Sequence, residues 1–67
     1  MRTHYRIIVE GLLHKRWWPR FKEMEIMYEG KNTVLTGRIG NTDVLQKMLS
    51  DLRSMSFALL MVEKTES

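Results

Sequence analysis

The amino-acid sequence predicts an α+β domain in which one helix packs on one face of a four-stranded mixed sheet. Two observations support this prediction. Residues 41–56 are the only long segment whose apolar residues recur at helical spacing. The segments on both sides of it are rich in apolar residues, and most of them alternate with the period of two that is typical of strands. The expected order of elements is strand, strand, strand, helix, strand.

A chain of 67 residues has room for one domain, so we expect a single unit with residues 63–67 frayed. A core of this size is marginal alone, and such domains usually rely on disulfides, a metal, very good packing or a partner chain. The sequence has no cysteine, and its two histidines, His4 and His14, have no cluster of ligands around them. We therefore expect no disulfide, metal or cofactor, which leaves self-association.

The composition indicates a cytoplasmic protein. The absence of cysteine suits a reducing compartment, and the apolar run at residues 7–9 is far too short for a signal core or a membrane span. The net charge of +3 is unevenly spread, because residues 1–22 carry six basic side chains and one acidic side chain. This asymmetry is compatible with an anionic partner.

Residues 3–13 are predicted to form the first strand, with Tyr5, Ile7 and Val9 on one face. Ile8 makes the opposite face partly apolar. Gly11, near the end of this strand, indicates a bulge or a close approach of another part of the chain.

The segment at residues 14–20, His-Lys-Arg-Trp-Trp-Pro-Arg, is predicted to be a connection that folds back over the sheet, because Pro19 cannot continue a strand. In the structural interpretation, which we favour, Trp17 caps the core and Trp18 covers the sheet with its ring edge in water. In the functional interpretation, the segment is a basic, aromatic surface for single-stranded nucleic acid or for a protein. The candidate binding residues are Lys15, Arg16, Trp17, Trp18, Arg20 and Lys22.

Residues 21–29 are predicted to form the second strand. Ile26 and Tyr28 lie on one of its faces, and Phe21 and Met27 lie on the other with three glutamates. The glycine-containing turn at residues 30–32 leads into a third strand.

The helix is predicted over residues 41–56, with Asn41 as its N-cap and its apolar stripe fully used against the sheet. The helix has no glycine at its end, which predicts strain or fraying near Ser56. The stripe consists of Val44, Leu45, Met48, Leu49, Leu52 and Met55.

Residues 57–62 are apolar on both faces, a pattern typical of a strand buried on both sides. We expect this last strand to lie beside the first and to run parallel to the third, because a helix joins the two. One helix covers only one sheet face, so apolar side chains on the other face predict an interface. The candidate interface residues are Ile8, Met27, Leu60 and Val62.

Scattered positions over residues 5–62 carry a resemblance to other proteins. They are Tyr5, Ile7, Val9, Gly11, Leu13, Arg16, Trp17, Phe21, Leu35, Gly37, Leu45, Leu49, Leu52, Arg53, Leu59, Leu60 and Val62. On these positions the chain resembles a widespread family of short bacterial and archaeal proteins with no assigned function. That group typically has an acidic residue at His14, an aromatic one at Arg20, and glycine at Lys47 and Ser56. The resemblance implies a small domain of common architecture and no particular activity.

The residues favour a self-associating interaction or regulatory domain, with a homodimer as the expected assembly, over an enzyme. No catalytic residue is expected, because cysteine is absent and the serines lie on or after the helix without a nearby histidine. Two alternatives remain: nucleic-acid binding through the basic tryptophan segment, and a small-ligand site between that segment and the helix end, with Tyr5 or Tyr28 as polar handles. No membrane partner is expected.

Overall fold

The computed structural model describes residues 3–65, within which it contains four strands, one α-helix and one 3-10 helix. In chain order they are β1 (Thr3–Glu10), the 3-10 helix (Lys15–Phe21), β2 (Glu25–Glu29), β3 (Asn32–Ile39), α1 (Thr42–Ser54) and β4 (Ala58–Thr65). The predicted α+β class and the order β-β-β-α-β are confirmed. Arg2 and residues 66 and 67 lie outside the described residues. No helix within residues 3–65 is long and apolar enough to cross a membrane.

The four strands form one sheet with the order β2-β3-β1-β4. The last strand lies beside the first, as predicted, and β3 and β4 run parallel to each other because both are antiparallel to β1. The prediction of a mixed sheet is wrong, because β1 is inserted between these two parallel strands. All three hydrogen-bonded pairs are consequently antiparallel.

The core lies between α1 and one face of the sheet, which we call the helix face. Ile7 and Val9 of β1 are fully buried on this face, as the alternation of the first strand predicts. Gly11 follows with a positive φ of 109°, and a Cβ there would lie 3.0 Å from the ring of Phe57. The predicted close approach at this glycine is confirmed.

The connection after β1 contains a 3-10 helix that runs through Pro19 and ends at Phe21. Strand β2 therefore begins only at Glu25, and the prediction of a strand over residues 21–29 is wrong in its first part. Phe21 is fully buried rather than on an outer strand face, because strand alternation does not set the direction of a side chain in a helical turn.

Helix α1 begins at the predicted N-cap. The Asn41 Oδ1 accepts a hydrogen bond of 2.7 Å from the Asp43 N–H. Leu45, Met48, Leu49 and Leu52 of the apolar stripe are buried. Val44 is 38% exposed because it lines a groove beside the helix, so the stripe is not fully used against the sheet.

The C-terminus of α1 is strained and ordered rather than frayed. Ser56 has a φ of 68°, in the left-handed region that favours glycine. Its N–H donates to the Arg53 carbonyl at 3.0 Å, and the Phe57 N–H donates to the Leu52 carbonyl at 3.0 Å. These two bonds are the pair that defines a Schellman motif. The serine occupies a position where glycine is the usual residue.

Strand β4 forms one edge of the sheet and has a bulge opposite Ile8 and Val9 of β1. The prediction that both of its faces are buried is wrong for the single chain, because Leu59 and Val62, which belong to the helix face, are 37% and 39% exposed. Leu60 is 53% exposed. The strand also continues to Thr65, whose Oγ1 lies 2.6 Å from the His4 Nδ1, so residues 63–65 are in the strand and not frayed as predicted, and the rest of that prediction lies outside the described residues.

Candidate functional site

We call residues 14–22 the tryptophan loop, and its root is tied to the sheet through the peptide groups of Leu13. The Leu13 N–H donates to the Thr33 Oγ1 at 2.9 Å. The Leu13 carbonyl accepts from the Trp18 Nε1 at 3.1 Å and from the Tyr28 hydroxyl at 2.5 Å. Leu13 and Thr33 are both fully buried. Three side chains from the loop, β2 and β3 thus hold one residue in place.

Trp18 is used inside the fold. Besides its hydrogen bond to Leu13, its ring lies edge-on to the ring of Tyr28, with centroids 6.0 Å apart and planes at 65°. The Lys15 Nζ lies over the same ring at 5.7 Å from its centroid. The ring is half-buried and packs against the core. It is therefore a poor platform for a stacking base, because its edge and one face already have partners.

Two guanidinium groups lie over the ring of Trp17, which also packs against the core. The Arg16 Cζ is 5.4 Å and the Arg20 Cζ 5.2 Å from its ring centroid. The 3-10 helix that carries all three residues is capped by His14, whose Nδ1 accepts from the Arg16 N–H at 3.0 Å. A nucleobase would have to displace a guanidinium to stack on this ring, at a cost of about 0.5–2 kcal/mol for each cation–π contact.

The six candidate residues of the tryptophan loop make different local contacts. Lys15 is associated with Trp18, Arg16 with Trp17, and Arg20 with both Trp17 and a groove beside α1. Lys22 lines the same groove.

The groove between the end of the tryptophan loop and the outer side of α1 has a volume of about 500 Å³. Neither Tyr5 nor Tyr28 is among its lining residues, so the polar handles predicted for a ligand there are wrong. The residues that line it are Arg20, Lys22, Glu23, Val44, Lys47, Met48 and Asp51. Sequence reasoning found only the loop side of this groove. The sequence feature that could have indicated the helix side is Val44, the first residue of the apolar stripe, which lines the groove.

The sheet face opposite α1, which we call the open face, carries one apolar row across all four strands. The register aligns these residues in the order Met27, Val34, Ile8 and Met61. Met27 is 58% exposed, whereas Val34 is almost fully buried between its two neighbours. Ile8 and Met27 therefore share a face, as predicted.

The other two predicted interface residues lie elsewhere on β4. Val62 is aligned with Ile7, so it belongs to the helix face and not to the face of Ile8. Leu60 lies at the bulge, between the aligned pairs formed by Leu59 and Met61, and has no partner in the register. The extra residue of the bulge shifts the alternation, which is why a simple count of every second residue misassigns these side chains.

Charged residues surround the apolar row on the open face, and most of them are acidic. The acidic ones are Glu10, Glu25, Glu29 and Glu63, and the basic ones are Arg6 and Arg38. The open face is thus negatively charged around a narrow apolar strip.

Neither histidine lies in a cluster of possible metal ligands. Within residues 3–65 no group of three or more histidine, aspartate or glutamate side chains is placed to hold a metal ion. His4 is hydrogen-bonded to Thr65 at the edge of the sheet, and His14 caps the 3-10 helix.

These features define a small α+β domain with an apolar edge strand, β4, and a groove in which basic residues outnumber acidic ones. The chain belongs to a family described as a domain of unknown function (DUF8691), whose model matches residues 4–63. The expectation of an uncharacterised family is confirmed at that level. No curated protein and no solved structure gives a significant match.

Proposed function

We propose that this chain is a non-catalytic, cytoplasmic domain that forms a homodimer by pairing the outer edges of two β4 strands. The observation that carries the proposal is the apolar and unprotected character of that edge. Leu59, Leu60 and Val62 are 37%, 53% and 39% exposed although they belong to an eight-residue strand.

The two edges of the sheet differ in how well they are protected against pairing. Proteins protect edge strands by keeping them short, by placing charges on them, or by bulges. Strand β2 has five residues and carries Glu25 and Glu29 at its ends. Strand β4 has eight residues, its first five are apolar, and its charges, Glu63 and Lys64, lie near one end. Besides these, only the bulge near Leu60 opposes pairing, and it acts locally.

The geometry of such a pair would also cover exposed apolar side chains of β4. Two identical edge strands pair antiparallel about a two-fold axis perpendicular to the sheet, which keeps the same face of each copy on the same side. The dimer would be an eight-stranded sheet with both α1 helices on one face. Leu59 and Val62, which lie at the margin of the helix face, would then be covered by the second copy.

Packing of two open faces against each other is the less favourable arrangement. Each open face has four carboxylates against the two guanidiniums of Arg6 and Arg38. Face-to-face packing would bring these like charges together around a strip one residue wide, and charges buried without partners are costly.

A non-catalytic role is supported by how the candidate catalytic groups are used. His4 and His14 are both engaged in hydrogen bonds within the fold, with Thr65 of β4 and with the Arg16 N–H. The described serines lie in α1 or directly after it, on a different element from either histidine. The cytoplasmic location is part of the same proposal and is supported by a sequence without cysteine.

Sedimentation velocity from about 1 µM to about 1 mM tests the dimer, a range that covers weak and moderate self-association. Leu60→Lys, at the β4 edge, should give a monomer throughout. Met27→Lys is the matched control, because Met27 is similarly exposed and receives the same charge on the open face. It should leave the dimer intact.

The same experiment can refute the proposal. A wild-type chain that stays monomeric at the highest concentration overturns it, and so does a Leu60→Lys variant that still dimerises. If Met27→Lys alone abolishes the dimer, the open face is the interface instead.

Amide hydrogen exchange supplies a second measurement without mutation. Outward-pointing N–H groups of β4 should exchange more slowly as protein concentration rises, because a second strand then accepts their hydrogen bonds. Those of β2, the opposite edge, should show no concentration dependence.

A further inference from the structure

The groove beside α1 continues into a smaller recess near the start of the helix. The recess has a volume of about 160 Å³ and shares Glu23 and Val44 with the larger groove. Its other lining residues are Arg38, Ile39, Gly40 and Asn41. Together they form an elongated concave surface between the end of the tryptophan loop and the N-terminal half of α1.

The charges of this surface are unbalanced. The larger groove has three basic lining residues, Arg20, Lys22 and Lys47, and two acidic ones, Glu23 and Asp51. Three cations against two carboxylates leave an excess of one positive charge. A phosphate monoester is negatively charged at neutral pH and is attracted to this excess.

Val44 provides the surface with an apolar contact. It lies where the groove and the recess meet, and it is 38% exposed although the rest of the helix stripe before Met55 is buried. An exposed valine flanked by cations suits a ligand with an organic body next to its charged group. The volume of about 500 Å³ lies within the range of small-ligand pockets, roughly 300–1,000 Å³.

We propose that this surface binds a small organic phosphate monoester. The guanidinium of Arg20, which lies against the ring of Trp17, supplies a planar fork suited to two phosphate oxygens. Lys22 and Lys47 supply point charges from the loop and the helix. Val44 contacts the organic part.

Phenyl phosphate is a suitable probe, followed in ¹H–¹⁵N spectra of the full chain. Its addition should shift the amide signals of Val44 and Lys47 saturably. The indole N–H of Trp17 should move with them because Arg20 contacts that ring, whereas the indole of Trp18, bonded to Leu13, should move less. Inorganic phosphate, which lacks the organic part, should bind more weakly.

Lys47→Gln should weaken binding by about twofold to fivefold, the effect of losing one solvent-exposed ionic contact. Lys31→Gln is the matched control, because Lys31 lies in the β2–β3 turn and makes the same change in net charge. It should bind like wild type. Both lysines are exposed, so neither variant should disturb the fold.

Several results would overturn the proposal. They are shifts that do not saturate, equal affinity for inorganic phosphate and phenyl phosphate, wild-type affinity in Lys47→Gln, and equal weakening in Lys31→Gln. The last of these would mean that the ligand responds to net charge and not to the groove.

Discussion

Replacing Thr33 by valine should destabilise the fold far more than the loss of one hydroxyl on a strand usually does. Thr33 is fully buried, and its Oγ1 accepts from the Leu13 N–H at 2.9 Å and donates to the Gly11 carbonyl at 2.6 Å. Valine keeps the shape but leaves both backbone groups without a partner. A buried unsatisfied group costs about 1–3 kcal/mol. The bond to Leu13 is buried and the bond to Gly11 only partly buried, so we expect a total loss of about 2–3 kcal/mol.

That loss is a large fraction of what a domain of this size has. At about 0.05–0.15 kcal/mol per residue, the free energy of unfolding is on the order of 3–10 kcal/mol. Urea unfolding followed by circular dichroism should show a midpoint lowered by about 2–3 M, if the slope is about 1 kcal/mol per M. The melting temperature should fall by at least about 8 °C.

Two controls separate the hydroxyl from the methyl group. Thr33→Ser keeps both hydrogen bonds and loses one methyl, so it should cost only about 1 kcal/mol. Thr36→Val makes the same chemical change at a half-buried position on the open face and should stay within about 0.5 kcal/mol of wild type. The reasoning is refuted if Thr33→Val is as stable as Thr33→Ser.

Two glycine exchanges should have opposite effects, both measurable by the same urea titration. Ser56→Gly should stabilise the fold by about 0.5–1 kcal/mol, because it removes left-handed strain at φ 68° but adds freedom to the unfolded chain. Ser50→Gly, at an exposed position inside α1, should instead destabilise it by about 0.5 kcal/mol, and the same sign at both sites would contradict the cap assignment. Gly37→Ala should cost about 1–3 kcal/mol, because the new Cβ would lie 2.7 Å from the Glu23 carbonyl oxygen and the backbone would have to move. A neutral effect would mean that residues 23–24 are not held against β3.

Features that depend on local periodicity or on a single cap could be predicted from the sequence. The alternation of Ile7, Ile8 and Val9 identifies the buried face of β1 without knowledge of its neighbours. Asn41 could be recognised as an N-cap because the interaction is made with a residue two positions along.

Features that depend on contacts distant in sequence could not be predicted in this way. Phe21 continues the alternation of residues 21–29, and only the structure reveals that it is the buried last residue of the 3-10 helix and not part of the strand. The rule for crossover connections predicts parallel β3 and β4, but it does not say that β1 lies between them. From the sequence alone, Lys47 is a solvated residue on the polar side of an amphipathic helix. Only the position of the tryptophan loop beside α1 shows that Lys47 lines a groove.

The pattern of β4 is the most instructive mismatch between sequence and structure. A run that is apolar on both faces is typical of a central strand, and β4 in a single chain is an edge strand with three exposed apolar side chains. In a four-stranded monomer this pattern leaves apolar side chains exposed on an unpaired edge strand, which favours aggregation. In the proposed dimer β4 becomes one of the two central strands of an eight-stranded sheet. The second copy then covers the edge of β4 and the apolar side chains beside it, and the marginal core of a 67-residue chain gains buried area.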